Sequence, residues 1–372
     1  MGAKVRDIVD IMEQIAPFQY AEDWDNVGLL LGDMEENVSR IMLTLDVTPE
    51  VIEQAVKEDI DMLISHHPII FKPIKDIRLD SYTGKILCPL IKHDISVLCA
   101  HTNLDKALGG VDDTLADILG LNEVEPLTYV DSMPYYKIVV YIPKGHEEKV
   151  LYAMAEAGAG CIGGYSHCTF QGEGTGTFLP LEGAKPYIGD VGMLEHVHEI
   201  RLETIVPKSH LDKVLDAMLK VHPYEEVAYD VYQLANRVKV PSIGRIGQLP
   251  KVMSVIEYAE YIKRSLNAGS VAIVGNRDKK VKWVGSCAGA GGDLVGMAKY
   301  KGADVFVTGE LKYHEAQMAN ALGIPVIAAG HFSTEIPIVS KLITSLQKAL
   351  DGLQYRIEVI VPDKQVDPYY VF

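Results

Sequence analysis

The sequence predicts an α/β protein: two similar α/β halves, residues 1–128 and 237–372, form one domain, interrupted over residues 129–236 by a ferredoxin-like α+β insert. Three observations lead there. Short apolar runs alternate with stretches of helical period through both outer segments, the pattern of parallel strands joined by crossover helices. The runs also end alike: Asp61-Met62-Leu63-Ile64-Ser65-His66-His67 is echoed by Asp304-Val305-Phe306-Val307-Thr308-Gly309-Glu310. In each half the next run ends in Ala or Gly, then His, three residues and an acid, giving His101 with Asp105 and His331 with Glu335. Finally, the middle stretch holds two strand-plus-helix units, at 136–143 and 199–207, each strand ending in proline. Equivalent strand ends of the two halves are expected to converge across one cleft.

In chain order, residues 5–12 have helical apolar spacing. Trp24-Asp25-Asn26-Val27-Gly28 reads as a turn leading into a short strand, with Asn26 a turn residue. Residues 41–46 form a buried strand, and Thr48 caps a helix with Pro49 in its first turn. That helix leads to the strand before Ser65-His66-His67-Pro68. A helix over 84–93, a strand over 95–100 and a helix opened by Gly109-Gly110 complete the first half. In the middle stretch, helices are expected over 147–157 and 211–219. The glycine-rich run from Gly163 and Gly164 to Gly176 reads as a strand and hairpin. From near Gly244 the first texture resumes: a helix over 252–266, strands over 271–274, 304–310 and 325–329, a last helix over 336–350 and a strand over 355–361.

Composition narrows the function. A net charge of -16 argues against nucleic acid or an anionic membrane as partner, because phosphate contacts need clustered Lys and Arg. The cysteines number five, an odd count, and include no CxxC pair, which argues against a disulfide framework or a thiolate zinc site. No apolar run approaches membrane-spanning length and the N-terminus has no signal core, so the expected location is cytoplasmic.

Adjacent strand side chains point to opposite faces, so His66 and His67 either cap a strand as two polar residues or, after a bend helped by Pro68, each reach a different ion. The strand ends pool His66, His67, His101, Asp105, Glu310, His314, His331 and Glu335. Imidazole and carboxylate without thiolate suit zinc foremost, with iron or manganese the alternatives. So many ligands exceed one tetrahedral ion, and two ions sharing a bridging carboxylate fit the count. Such pairs clamp a substrate oxygen and generate hydroxide near neutral pH. His101 reads either as a strand-end hydrogen-bonding residue or as a group that orients a ligand or moves a proton. Glu310 and His314, four apart, would share a helix face. The turn over 287–292 fits neither common phosphate-loop pattern and reads as a tight structural turn before an anion cradle. His167, His196, His198 and His222 do not repeat the spacing of the outer set and are taken as non-ligands.

Trp24-Asp25-Asn26-Val27-Gly28-Leu29, Ser65-His66-His67-Pro68, His101-Thr102-Asn103-Leu104-Asp105, Thr308-Gly309-Glu310 with His314, and Gly330-His331-Phe332-Ser333-Thr334-Glu335 together resemble the NIF-three-like family, also called the GTP cyclohydrolase 1 type 2 homologue family. The middle stretch resembles the PII/CutA-like domain that longer bacterial members carry, through Gly164-Tyr165-Ser166-His167-Cys168 and His222-Pro223-Tyr224-Glu225-Glu226. The resemblance implies a dinuclear metal site on His66, His67, Asp105, His331 and Glu335. It also implies a ring-shaped homohexamer whose metal sites face an inner cavity capped by the middle domains. The expected function is a two-metal hydrolase, of cyclohydrolase type, acting on a small substrate, with His101, Glu310 or His314 moving protons. The alternative is a non-enzymatic, metal-responsive or regulatory assembly.

Overall fold

The apolar runs of the outer segments become two mixed sheets in the computed structural model, which describes residues 2–131, 134–162, 165–236 and 239–370. The chain divides into two units, residues 1–130 with 240–372, and residues 131–239. In the first unit, one sheet orders Glu358–Ile360, Arg40–Thr44, Met62–Ser65, Ser96–Cys99 and Gly28–Leu31, parallel except for the last strand. The other orders Ala272–Val274, Val326–Ala328, Val305–Thr308, Lys280–Cys287, Arg245–Ser254 and Asn122–Pro126. Its central three strands are parallel and its flanking strands antiparallel.

Both sheets are covered on both faces, which is why their strands are almost continuously apolar. Alternate residues serve different cores. Ile41, Leu43, Met62, Ile64, Val305 and Val307 share one large cluster with Ile8, Leu115, Ile262 and Leu346 from four helices. Met42, Leu63 and Val97 face the helices Pro49–Lys57 and Tyr82–Lys92 through Val51, Ile52, Leu87 and Leu90. Phe306 and Val326 face outward to Val295, Ala298 and Ala319. Thr48 caps its helix, its hydroxyl accepting from the Val51 N–H at 3.4 Å, with Pro49 in the first turn.

Register positions the site. Thr44 pairs with Ser65 and Ser65 with Cys99, so three parallel strands end level. Cys287 pairs with Thr308 and Thr308 with Ala328 in the second sheet. The residues that follow therefore emerge side by side at the carboxyl edges of the sheets, where open α/β sheets place ligands.

Several elements differ from expectation. The helix read over 252–266 is Val255–Ser265, because Ser254 and Glu257 form a capping box, and the residues before it join the strand Arg245–Ser254. That strand and Asn122–Pro126 escape periodicity because charges, Pro and Gly interrupt their apolar alternation. The runs starting at His101 and His331 are short helices, Thr102–Lys106 and His331–Glu335.

The second unit has a four-stranded antiparallel sheet in the order Thr169–Phe178, Glu195–Pro207, Tyr135–Pro143 and Tyr229–Gln233. Glu147–Glu156 and Leu211–Val221 pack on one face, burying Val150, Met154, Val214 and Met218 against Ile138, Val140 and Leu202. From Thr169 on, the glycine-rich run forms one long strand, Thr169–Phe178. Residues 179–194 connect it to its partner, too long a link for a tight hairpin. Gly163 and Gly164 lie outside the described residues. No described helix is long and apolar enough to cross a membrane.

Candidate metal centre

Where Met62–Ser65 ends, the chain turns instead of continuing. The Ser65 hydroxyl donates to the His67 carbonyl at 2.9 Å, while the His66 and His67 N–H groups donate to the carbonyls of Thr44 and Leu45. The two imidazoles thus leave the alternation of a regular strand, and their centroids lie 5.0 Å apart. His101 and His331 join them from the next strand of each sheet, at 5.2 Å from His66 and 5.4 Å from His67.

Every ring is held from outside through Nδ1. His66 donates to the Ala100 carbonyl at 2.9 Å, His67 to Asp46 at 2.8 Å, His101 to Asp25 at 2.9 Å and His331 to Glu310 at 2.9 Å. A hydrogen bond from Nδ1–H leaves the Nε2 lone pair free to ligate. The Nε2 atoms of His66, His67 and His331 face carboxylates. Glu335 Oε2 lies 3.1 Å from His67 Nε2 and 3.1 Å from His331 Nε2, and Oε1 lies 4.0 Å from His66 Nε2. Asp105 Oδ1 lies 3.6 Å from His66 Nε2.

The short helices explain the histidine-to-acid spacing. His331 and Glu335 are one turn apart and share a face, and Thr102–Lys106 carries Asp105 one turn beyond His101. Buried His66 Nε2 and Asp105 Oδ1 have no hydrogen-bond partner, and Glu335 Oε2 meets only the two imidazole nitrogens of His67 and His331. Lone pairs facing carboxylate oxygens in a buried space repel unless a cation lies between them. Two groups of ligand atoms converge, each within 4.8 Å: His66, His67 and His101, and His67, His331 and Glu335. The donor set fits a divalent cation. The nearby thiols are engaged elsewhere, Cys99 donating to the His66 carbonyl at 3.1 Å and Cys287 to that of Ala288 at 3.3 Å.

Electrostatics agrees. Burial drives the His66 imidazole down to about 3, so it is neutral and ready to ligate. Burial also acts to lower His67, but Asp46 and Glu335 outweigh it and hold the ring up to about 10. Burial acts to raise Glu335, but His331 and His67 keep it well below the usual carboxylate range. Asp105 is pushed well above that range by burial, then by Asp112 and Glu335. A cation placed among these groups replaces the protons that they otherwise share.

Of the residues singled out from sequence, His66, His67, His101, Asp105, His331 and Glu335 come together. Glu310 reaches the group only through His331 Nδ1. Its partner His314 does not share a face with it, because the helix Tyr313–Leu322 begins after Glu310; His314 is exposed and pairs with Gln317 at 3.2 Å. His198 and His222 bond to carbonyls in the second unit. Asn26 is a turn residue, its amide donating to the Ile70 carbonyl at 2.6 Å.

Three residues were not singled out. Asp25 accepts from His101 and from the Thr102 N–H and hydroxyl. Asp46 follows an apolar strand just as His66 does, and that placement was a usable signal. Gly289 is the third. Its φ is +58°, and a Cβ there would meet Glu335 Oε1 at 2.1 Å. Three of the turn's N–H groups are spent on the protein: Ala288 donates to Asp112, Gly289 to Thr334 and Gly291 to Thr308. The turn is structural, and it makes room for the carboxylate.

Behind the centre, buried Arg245 clamps the elements that carry Asp105. It donates through Nε to Asp113 and through its terminal nitrogens to the carbonyls of Ser242, Gly244, Lys106 and Ala107. At the rim, exposed Trp24 and Phe71 pack edge-on at 5.9 Å, their rings 6.3 and 6.4 Å from that of His101.

Comparison with known proteins places this geometry. Residues 3–368 match the profile described as Duf34/NIF3 (NGG1p interacting factor 3). A Bacillus subtilis (strain 168) protein named GTP cyclohydrolase 1 type 2 homolog is 43% identical over 368 residues, covering 98% of this chain and 97% of its own. A Listeria innocua protein of the same name is 38% identical, covering 96% of each. Among solved structures, a Bacillus cereus protein related to NIF3 aligns with a TM-score of 0.77 at 40% identity, covering 99% of both chains. Staphylococcus aureus protein SA1388 aligns with a TM-score of 0.72 at 30% identity, also over 99% of both.

Proposed function

The chain belongs to the Duf34/NIF3 family, and from that premise we propose that it is a metal-dependent hydrolase for a nucleotide-like or other small substrate. It would hold two divalent ions, zinc foremost and iron or manganese the alternatives, on His66, His67, Asp105, His331 and Glu335. The observation that carries this reading is the pair of buried, unpartnered atoms His66 Nε2 and Asp105 Oδ1, facing each other at 3.6 Å beside Glu335 and among oriented imidazoles. Glu335 or Asp105 would be the carboxylate shared between the ions; Glu335 turns one oxygen toward His67 and His331 and the other toward His66.

Bound ions would supply Lewis acidity and lower the pKa of water at neutral pH. The chain's own residues do the rest. Asp46 and Glu310 hold the rings of His67 and His331 in place. His101, backed by Asp25, is placed to hold or move a proton at Nε2. Glu310, half-exposed beside His331, lines a cavity of about 720 Å³ and is the second proton-moving group. His314, exposed and outside the group, is given no step. Trp24 and Phe71 offer an open aromatic edge for a planar ring. Among the described residues no Lys or Arg lines the cavities beside His331, so an anionic substrate would depend on the ions for countercharge. The name carried by the relatives supports a nucleotide-like substrate.

The test is metal analysis followed by a turnover screen with GTP, other nucleotides and phosphodiesters, comparing the parent with Glu335→Gln and His67→Ala. Product that depends on both side chains supports the hydrolase. Equal turnover in the variants removes the catalytic assignment, and tight metal binding without any turnover favours a metal-responsive role.

Family membership also underlies two structural proposals. Residues 131–239 are an inserted PII/CutA-like domain between two related halves, and the chain assembles as a ring-shaped homohexamer. Light scattering should give the mass of six 40.9 kDa chains, and a monomer mass would refute the ring.

A further inference from the structure

We propose that the second unit carries its own ligand site, a cavity for an organic ammonium ion. The site lies entirely within residues 131–239 and is independent of the metal centre. Its volume is about 560 Å³, within the range of small-molecule sites. One wall is the sheet face opposite the helices, represented by Tyr141 and Glu199, and the other is the connection over 179–194.

The walls are aromatic and fixed. Tyr224 lies 5.9 Å from Phe178 and 6.3 Å from Tyr187, centroid to centroid. Its hydroxyl donates to Glu199 Oε1 at 3.0 Å, and its N–H donates to His222 Nδ1 at 3.1 Å. His222 in turn donates from Nε2 to the Tyr141 carbonyl at 3.0 Å. With one ring nitrogen accepting and the other donating to a carbonyl, His222 is neutral and brings no positive charge. Tyr187 is held by His146, 3.1 Å from its hydroxyl.

Glu199 is the anchor. It is only 8% exposed, although it lies on the sheet face without helices. Among the described residues no Lys, Arg or His makes an ion pair with it, and none lines the cavity. Gly176 keeps its place open, since a Cβ there would stand 2.0 Å from Glu199 Oε2. Glu225 and Glu226 add negative charge to the lining. A buried carboxylate with a single phenol donor is under-compensated.

Ligand chemistry follows from what the cavity repels. Three carboxylates with no basic side chain among the described lining residues disfavour an anion; Arg201, in the adjoining cavity that Glu199 also lines, is paired with Glu203 at 2.9 Å. A neutral molecule leaves the Glu199 charge uncompensated. A bare divalent ion lacks a set of converging ligands, because among the described residues no three metal-ligating atoms gather here. An ammonium group on an apolar or aromatic body satisfies both halves of the site. It pairs with Glu199, and the faces of Phe178, Tyr187 and Tyr224 favour its charge.

Calorimetric titration of the full chain with phenethylammonium tests this, with phenylpropionate and phenethyl alcohol as anionic and neutral counterparts. Saturable binding of one phenethylammonium per chain is expected, with both counterparts at least about tenfold weaker. Glu199→Gln should weaken the cation about tenfold or more. Gly176→Ala, on an edge strand, should do the same by displacing the carboxylate, with circular dichroism checking that the variant is folded. Absence of saturable binding overturns the proposal. So does alcohol binding as tight as that of the cation, or unchanged affinity in folded Gly176→Ala.

Discussion

Glu335 carries the centre at the scale of single residues, because both of its oxygens face imidazole nitrogens. Glu335→Gln keeps the shape and removes the charge. Metal content by elemental analysis should fall below that of the parent, and affinity should drop by about 10–100-fold or more. Unchanged metal content would remove Glu335 from the ligand set. Gly289→Ala makes the same point from the other side: the added Cβ contests the space of Glu335 Oε1 and strains a positive φ. Its metal affinity should fall although no ligand is changed, and an unaltered zinc titration would refute that. Asp25 has a pH signature. Burial acts to raise its carboxyl, but bonds from His101 and Thr102 hold it down to about 2, below the ordinary 3.8. A depressed carboxylate stabilises the fold above its unfolded pKa, and the benefit is lost as pH falls through the folded value. With partial solvent screening its worth is about 1–2 kcal/mol. In the metal-free protein, the stability gap between parent and Asp25→Asn should be full at neutral pH and close between about pH 4 and 2. A gap that does not change over that range would refute the assignment.

At the scale of elements, level strand ends and short helices do the positioning. Two parallel trios end in register, and one helical turn then brings each acid back toward its histidine. The clamp on this arrangement is Arg245. Truncating it to Ala would strip Asp113 and four backbone carbonyls of a buried donor. Loss of one partner in a buried charged network costs about 3–5 kcal/mol. Chemical denaturation should show a loss of that size, with metal affinity falling too as Asp105 loses its support. A cost below 1 kcal/mol would show that the network is dispensable. Most of these elements were legible. Thr48-Pro49 announced its helix start, and the apolar runs announced their strands, because burial on both faces requires continuous apolar sequence. The short helices were not, because five residues are too few to display a period. Arg245 gave no local signal either, since Asp113, Lys106 and Ala107, which it ties together, lie more than a hundred residues away in sequence.

At the scale of the whole molecule, every residue of the centre belongs to the unit formed by residues 1–130 and 240–372. Thr128 and Ser242, flanking the excursion to the second unit, are hydrogen-bonded to each other in both directions at 3.0 Å. Replacing residues 131–239 with a short Gly-Ser linker should therefore leave a folded chain that binds metal like the parent. Circular dichroism and zinc titration would check this, and loss of metal binding in a folded chain would show that the centre depends on the second unit. The sequence by itself determined the residue types of the site, the strand ends that bear them and family membership, because strand ends and motif spacings are local properties of the chain. Only the tertiary structure decided which side chains meet. It drew in Asp25, Asp46 and Gly289, left His314 outside, and set Glu335 between three imidazoles. Those outcomes depend on strand register and on packing between segments from about twenty to more than two hundred residues apart, which local sequence does not encode.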